Sequence, residues 1–156
     1  MINPKKEIKR KIDKPKASSV AALRRMQAAK PKNTAPEVAL RSLIHHKGFR
    51  YRIDTRPLRE LNRRADIVFR KIKVAIYVDG CFWHGCLLHG TQAKANAAYW
   101  SFKIKQNQER DEDTTKILEK AGWKVIRVWE HEDPAKASEK ICRVIRKRRS
   151  QLKNDF

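Results

Sequence analysis

Apolar positions in this chain come in short runs broken by basic segments, and the period within each run predicts an element. A short helix fits Val20 to Ala29. Asn33-Thr34-Ala35-Pro36-Glu37 reads as the start of a second: Thr34 is a candidate N-cap, proline lies in the first turn, and Glu37 follows the cap by three residues. That helix runs to about Lys47 and stops at Gly48. Strands are expected at Phe49 to Ile53, Ala65 to Phe69 and Val74 to Asp79, the last two joined by the basic link Arg70 to Lys73. The pattern is irregular from Phe82 to Ala97. A long helix from roughly Tyr99 to Lys120 ends at Ala121-Gly122, Lys124 to Trp129 alternates like a strand, and Ala135 to Lys147 is a closing helix. After the short leading helix the order is α, β, β, β, α, β, α, an α/β class with no internal repeat.

At 156 residues the chain suits one domain with one core. The patterned region, 20–147, is that domain; a basic arm at 1–19 precedes it and a basic tail at 148–156 follows. Met1 to Pro36 holds eleven basic residues, two acidic ones and four prolines without a sustained apolar period, which suits an arm that stays mobile or follows a phosphate backbone. Over the whole chain 38 Lys and Arg face 17 Asp and Glu, a formal charge of +21 that a compact protein tolerates best against a polyanion. Nucleic acid is the leading partner; charge alone leaves a ribosome-type RNA binder or an anionic membrane surface open. Met1 to Pro15 lacks the apolar stretch of a signal peptide, and no apolar run approaches the roughly 18 residues of a membrane span. Three cysteines, Cys81, Cys86 and Cys142, are an odd number for a disulfide framework and point to a reducing, cytoplasmic compartment.

Two features carry chemistry. A hairpin turn centred near Ile72 would set Asp66 opposite Val78, with Asp79 one step beyond. Two carboxylates and a backbone carbonyl would then meet at one sheet end, hard oxygen donors that suit Mg²⁺. Strand-end aspartates can also be mere turn-formers, but Asp66 precedes Ile67-Val68-Phe69 inside an apolar run, where a charge needs a purpose.

The second feature is Asp79-Gly80-Cys81-Phe82-Trp83-His84-Gly85-Cys86-Leu87-Leu88-His89-Gly90, two Cys and two His within nine residues. Thiolate and imidazole are the ligands Zn²⁺ prefers, and an irregular segment with little apolar content gains most from a tetrahedral staple. Cys81, Cys86 and His89 are the expected ligands, with His131, just after the last strand, a better fourth than Cys142. Packed free thiols with exposed histidines are the plainer alternative. His84 need not be spent on zinc and could reach the strand end near Asp79 as a general base.

At these residues the chain closely resembles the very-short-patch-repair endonucleases, a branch of the restriction-endonuclease-like PD-(D/E)XK nucleases. The resemblance runs from about Arg24 to Glu132. It rests on Arg25-Met26, Asn33-Thr34 with Glu37, Ala65-Asp66-Ile67-Val68, Gly80-Cys81-Phe82-Trp83-His84, Glu109-Arg110-Asp111, and Gly122-Trp123 with Val128-Trp129-Glu130. It implies a restriction-endonuclease-like single domain, a central mixed sheet flanked by helices with a structural zinc site. It also implies roles: Asp66 matches the essential metal-binding aspartate, the Val78 carbonyl a second metal ligand, His84 a catalytic histidine, and Glu37 and Asp111 acids that orient metal-bound water. Met26, Phe82 and Trp83 match an apolar wedge pushed into the base stack beside a T:G mismatch, a device that selects mispaired steps because they unstack at less cost; burial in the zinc loop is the alternative for the two aromatics. This chain departs from the family pattern in two ways. Asp79 replaces a histidine and restores the second carboxylate of the wider superfamily, with a possible role on Mg²⁺. The zinc ligands are exchanged in type, with Cys86 at a histidine position, His89 displaced by one residue, and His131 at a cysteine position.

The expected function is Mg²⁺-dependent nicking of one strand of double-stranded DNA beside a T:G mismatch. The enzyme is expected to act as a bacterial-type monomer followed by downstream repair proteins. A nicking or host-defence nuclease with other site preferences, and a zinc-stapled DNA-binding module without chemistry, are the alternatives.

Overall fold

The computed structural model describes residues 15–28, 32–90 and 93–154. Most of the expected arm, residues 1–14, lies outside the described residues.

Helix α1 spans Val20–Ala28 and α2 Ala35–His46. Strand β1 is Arg52–Thr55, β2 Ala65–Phe69 and β3 Val74–Asp79, with a 3-10 turn at Arg70–Ile72 between the last two. Helix α3 covers Ala97–Lys120, β4 Lys124–Trp129 and α4 Pro134–Asn154. The four strands form one sheet in the order β1-β2-β3-β4, with antiparallel β1/β2 and β2/β3 pairs and a parallel β3/β4 pair. A parallel pair needs a long crossover, and α3 is that crossover.

Strand alternation divides the side chains between two layers. Ile67, Phe69, Val74, Ile76, Ile126 and Val128 pack with Leu40 and Ile44 of α2 and Ile141 and Ile145 of α4. Val68, Ala75 and Tyr77 face the other way, onto Leu118 of α3 and Trp123. Residues of this second parity include Asp66, Asp79 and Arg127, so three charges stand on the α3 side of the sheet, just past its apolar part.

Several expectations need correction. The first strand begins at Arg52, not Phe49. Gly48 ends α2 with φ +84°, and Phe49 then drops into the core while the Tyr51 hydroxyl donates to the Arg41 carbonyl, so pairing starts only where Arg52 meets Val68. The β2/β3 register pairs Ile67 with Ile76 and Phe69 with Val74, which extends to Asp66 opposite Tyr77 rather than Val78. Lys73, left-handed at φ +50°, closes the link one residue earlier than a turn centred on Ile72 would. Thr34 occupies the N-cap without its own capping bond; instead Glu37 accepts from the Asn33 N–H at 2.8 Å and the Thr34 hydroxyl at 3.0 Å. Helix α4 continues past Lys147 to Asn154, because Arg148-Arg149-Ser150-Gln151-Leu152 contains no helix breaker. Among the described residues no helix is long and apolar enough to cross a membrane.

Candidate active site

Asp66 is the second residue of β2, and its Oδ2 accepts the Val78 N–H at 2.7 Å. In a strand the N–H and C=O of one residue share a side. Val78 therefore turns both groups toward Asp66, whereas the Asp79 carbonyl on the opposite side accepts from Glu130 N–H at 2.9 Å. Burial pushes the Asp66 carboxyl up to about 6; the Val78 bond opposes this, while the nearby charges of Glu37 and Asp79 add to it. Glu37 is 8% exposed and Asp79 7% exposed, so this is a crowd of poorly hydrated acids.

Asp111 comes from α3 and His84 from the loop after β3. His84 Nδ1 and Asp111 Oδ2 are in short contact, and His84 Nδ1 lies 3.8 Å from Asp79 Oδ1. The bond at Nδ1 leaves Nε2 as the available ring nitrogen. Burial alone would raise the Asp111 carboxyl, but the bond to His84 and the charge of Arg127 outweigh it and hold the group below its ordinary value. The loop is held in turn by α3: Asn107 Nδ2 donates to the Trp83 carbonyl at 2.8 Å and Gln108 Nε2 to the His84 carbonyl at 3.1 Å.

On the far side of the same loop the structure brings Cys81, Cys86, His89 and His131 together, with one ligand atom of each lying within 4.8 Å of the others. Cys81 Sγ is 3.1 Å and Cys86 Sγ 3.7 Å from His131 Nδ1. Cys81 N–H donates to Glu130 Oε1 at 2.6 Å, tying the loop to the end of β4. Burial and the neighbouring Cys86 push the Cys81 thiol up to about 11. Burial would raise Cys86 as well, yet backbone N–H bonds from His89 and Leu88 lower it. Two thiols this close do not both ionise without a cation. Gly90 closes the turn against its neighbour's backbone: a Cβ there would fall 2.3 Å from the Cys86 carbonyl oxygen. Cys142 is buried in the other layer, within the α2/α4 core.

Met26, Phe82 and Trp83 line one groove of about 570 Å³ together with Tyr99 and Trp100 of α3. Phe82, Trp83 and Trp100 contact one another edge to face, with ring centroids 5.1 to 5.7 Å apart, and Trp83 remains 40% exposed. A partly wet aromatic cluster on a highly basic protein suits a flat, stacking ligand.

Sequence reasoning missed Arg127, Tyr99 and Trp100. The first had a legible sign, because in the alternating strand Lys124 to Trp129 it occupies an inward position, opposite Tyr77 in the β3/β4 register. The two aromatics lie in the first turn of α3, beside Phe102 and Ile104, where an apolar run reads as ordinary packing.

A family model described as DNA mismatch endonuclease Vsr matches residues 13–89. The chain is similar to the type II nicking enzyme V.NaeI of Lentzea aerocolonigenes, 48% identical over 112 residues that cover 70% of this chain and 68% of the relative. It is similar to the type II nicking enzyme V.XorIIP of Xanthomonas oryzae, 41% identical over 109 residues covering 69% and 77%. It is similar as well to the DNA mismatch endonuclease Vsr of Escherichia coli, 35% identical over 107 residues covering 67% and 66%.

Proposed function

The chain belongs to the Vsr family of DNA mismatch endonucleases and is an endonuclease that hydrolyses DNA; from that premise we propose that it nicks one strand of a duplex beside a T:G mismatch, with Mg²⁺ at Asp66 and Zn²⁺ in the Cys81 loop. The observation that carries the reading is the Asp66 carboxylate turned to Val78 beside the His84–Asp111 pair, all on one face of the sheet.

The buried Asp66 carboxyl, its pKa pushed upward by burial, favours a hard cation, and Asp66 with the Val78 carbonyl would hold it. When bound, Mg²⁺ supplies polarisation of the phosphate and an acidified water. His84, anchored through Nδ1, offers Nε2 to the reacting phosphodiester and takes or gives a proton there. Glu37 and Asp111, whose oxygens each already bond one protein group, would orient water only through their remaining lone pairs. Asp79 acts indirectly, because both of its oxygens are taken by Arg127. Cys81, Cys86, His89 and His131 would hold Zn²⁺, a soft and borderline donor set with the composition of a closed structural site. Met26, Phe82 and Trp83, joined by Trp100, would enter the base stack, and a mispaired step yields to them at least cost.

Relatives named type II nicking enzymes favour a second reading, with the same chemistry at other or broader sites. Labelled duplexes differing at one base pair, incubated with Mg²⁺, separate the two: faster nicking of T:G than of matched C:G supports mismatch recognition, and equal rates support the broader nickase. No cleavage of any duplex by the wild type, or undiminished cleavage by Asp66→Ala, would refute the chemistry.

A further inference from the structure

Asp79, His84 and Asp111 present ligand atoms within 4.8 Å of one another, the kind of donor set that gathers around a cation. The cation already there is Arg127. Its Nη1 lies 2.7 Å from both oxygens of Asp79, its Nη2 lies 3.1 Å from Asp111 Oδ1, and its Cζ sits 4.8 Å from the centre of the Tyr77 ring. His84 takes the remaining oxygen of Asp111. All four carboxylate oxygens are thereby engaged by the protein itself.

We propose that Arg127 is a positioning residue for strand cleavage: its guanidinium bridges Asp79 and Asp111 and so holds Asp111 in the rotamer that presents His84 Nε2 to the phosphodiester. The proposal rests on His84 serving as the proton-handling group. Three features argue for it. A planar fork reaches two carboxylates at once, which a lysine ammonium on the same strand cannot match in geometry. The side chains involved are mostly buried, with 25% of Arg127, 9% of Asp79 and 17% of Asp111 exposed, so their arrangement is fixed by packing and not by water. Arg127 also stands between Val125 and Trp129 on β4, the strand whose end carries Glu130 and His131, so one rigid element sets both the His84 dyad and the cysteine loop. Neither Arg127 nor Asp111 falls within residues 13–89, the part matched by the family model.

The test compares Arg127→Lys and the double variant Asp79→Leu/Arg127→Leu with wild type and with His84→Ala. Turnover of a saturating, intact T:G duplex and affinity for the same duplex are measured at a temperature where melting shows each variant folded. Replacing a buried ion pair by apolar residues of similar volume generally preserves a fold, so the double variant guards against simple collapse of Arg127→Lys. The expected result is a fall in kcat of about 10²-fold or more in both, with duplex Kd within about threefold of wild type. A folded variant of either kind that turns over within about threefold of wild type assigns the bridge to stability alone and overturns the proposal. His84→Ala separates the premise: full activity there removes the role of His84, whereas an inactive His84→Ala beside an active Arg127→Lys removes only the role of Arg127.

Discussion

Replacing Asp66 by Asn should abolish cleavage and at the same time make the metal-free protein more stable at neutral pH. The carboxyl has a pKa of about 6 in the fold against 3.8 in the unfolded chain, raised chiefly by burial. The folded state therefore holds the proton more tightly than the unfolded state. Its contribution to stability is fully present below pH 4, declines as pH rises through 6, and is gone above that. Two units at about 1.4 kcal/mol each set an upper bound of about 3 kcal/mol on what the charge costs at pH 8. Asn removes the charge and still offers an oxygen to the Val78 N–H. At about 2–4 °C per kcal/mol for a chain of this size, the variant melts up to roughly 10 °C higher at pH 8. That advantage shrinks as pH falls from about 6 to about 4 and vanishes below that. Thermal melts of both proteins across this range, without added divalent cation, measure the difference directly. A gap independent of pH, or a variant that melts below wild type at pH 8, would falsify the assignment of Asp66 as a charge held out of water for function.

Further predictions concern the remaining parts of the site. His84→Ala should lower kcat by about 10²–10⁴-fold with duplex affinity nearly unchanged; a comparable loss of affinity in a binding titration would contradict a role in the chemical step. Metal analysis of the purified protein should find one tightly held zinc per chain, absent from Gly90→Ala, whose Cβ would collide with the Cys86 carbonyl; stoichiometric zinc in that variant would show that the turn is not required. Trp83→Ala and Trp100→Ala should reduce the preference for T:G over matched duplex, read as a ratio of nicking rates, and an unchanged ratio would return these rings to a packing role. Duplex affinity should fall steeply between 50 and 200 mM salt, by about 10³-fold or more if six or more phosphates are neutralised, and a flat response would contradict the use made of the +21 charge.

Much of this architecture was legible in the sequence because burial writes a plain pattern, a near-continuous apolar run in β2 and β3 and an alternation in β4. Ala65–Phe69, Val74–Asp79 and Lys124–Trp129 were bounded by charge and turn residues at the positions where the strands begin and end. Asp66 stood out as a charge inside an apolar run, and the cysteine loop stood out by ligand type and spacing. Other features depend on tertiary choices without a local trace. The β2/β3 register turns on one left-handed residue, Lys73, whose conformation lysine itself does not announce. The start of β1 depends on where β2 is available to pair. The meeting of Arg127 with Asp79 spans 48 residues and exists only because a parallel crossover brings β4 beside β3.

That crossover has a consequence during synthesis. A chain leaving the ribosome exposes Asp66, Asp79, His84 and Asp111 before residue 127, when β4 is not yet free to pair and its guanidinium cannot gather them. Parallel pairing across α3 is a non-local contact and forms late. An incomplete chain thus carries most groups of the proposed site in no working arrangement, and on that proposal cleavage awaits the whole molecule.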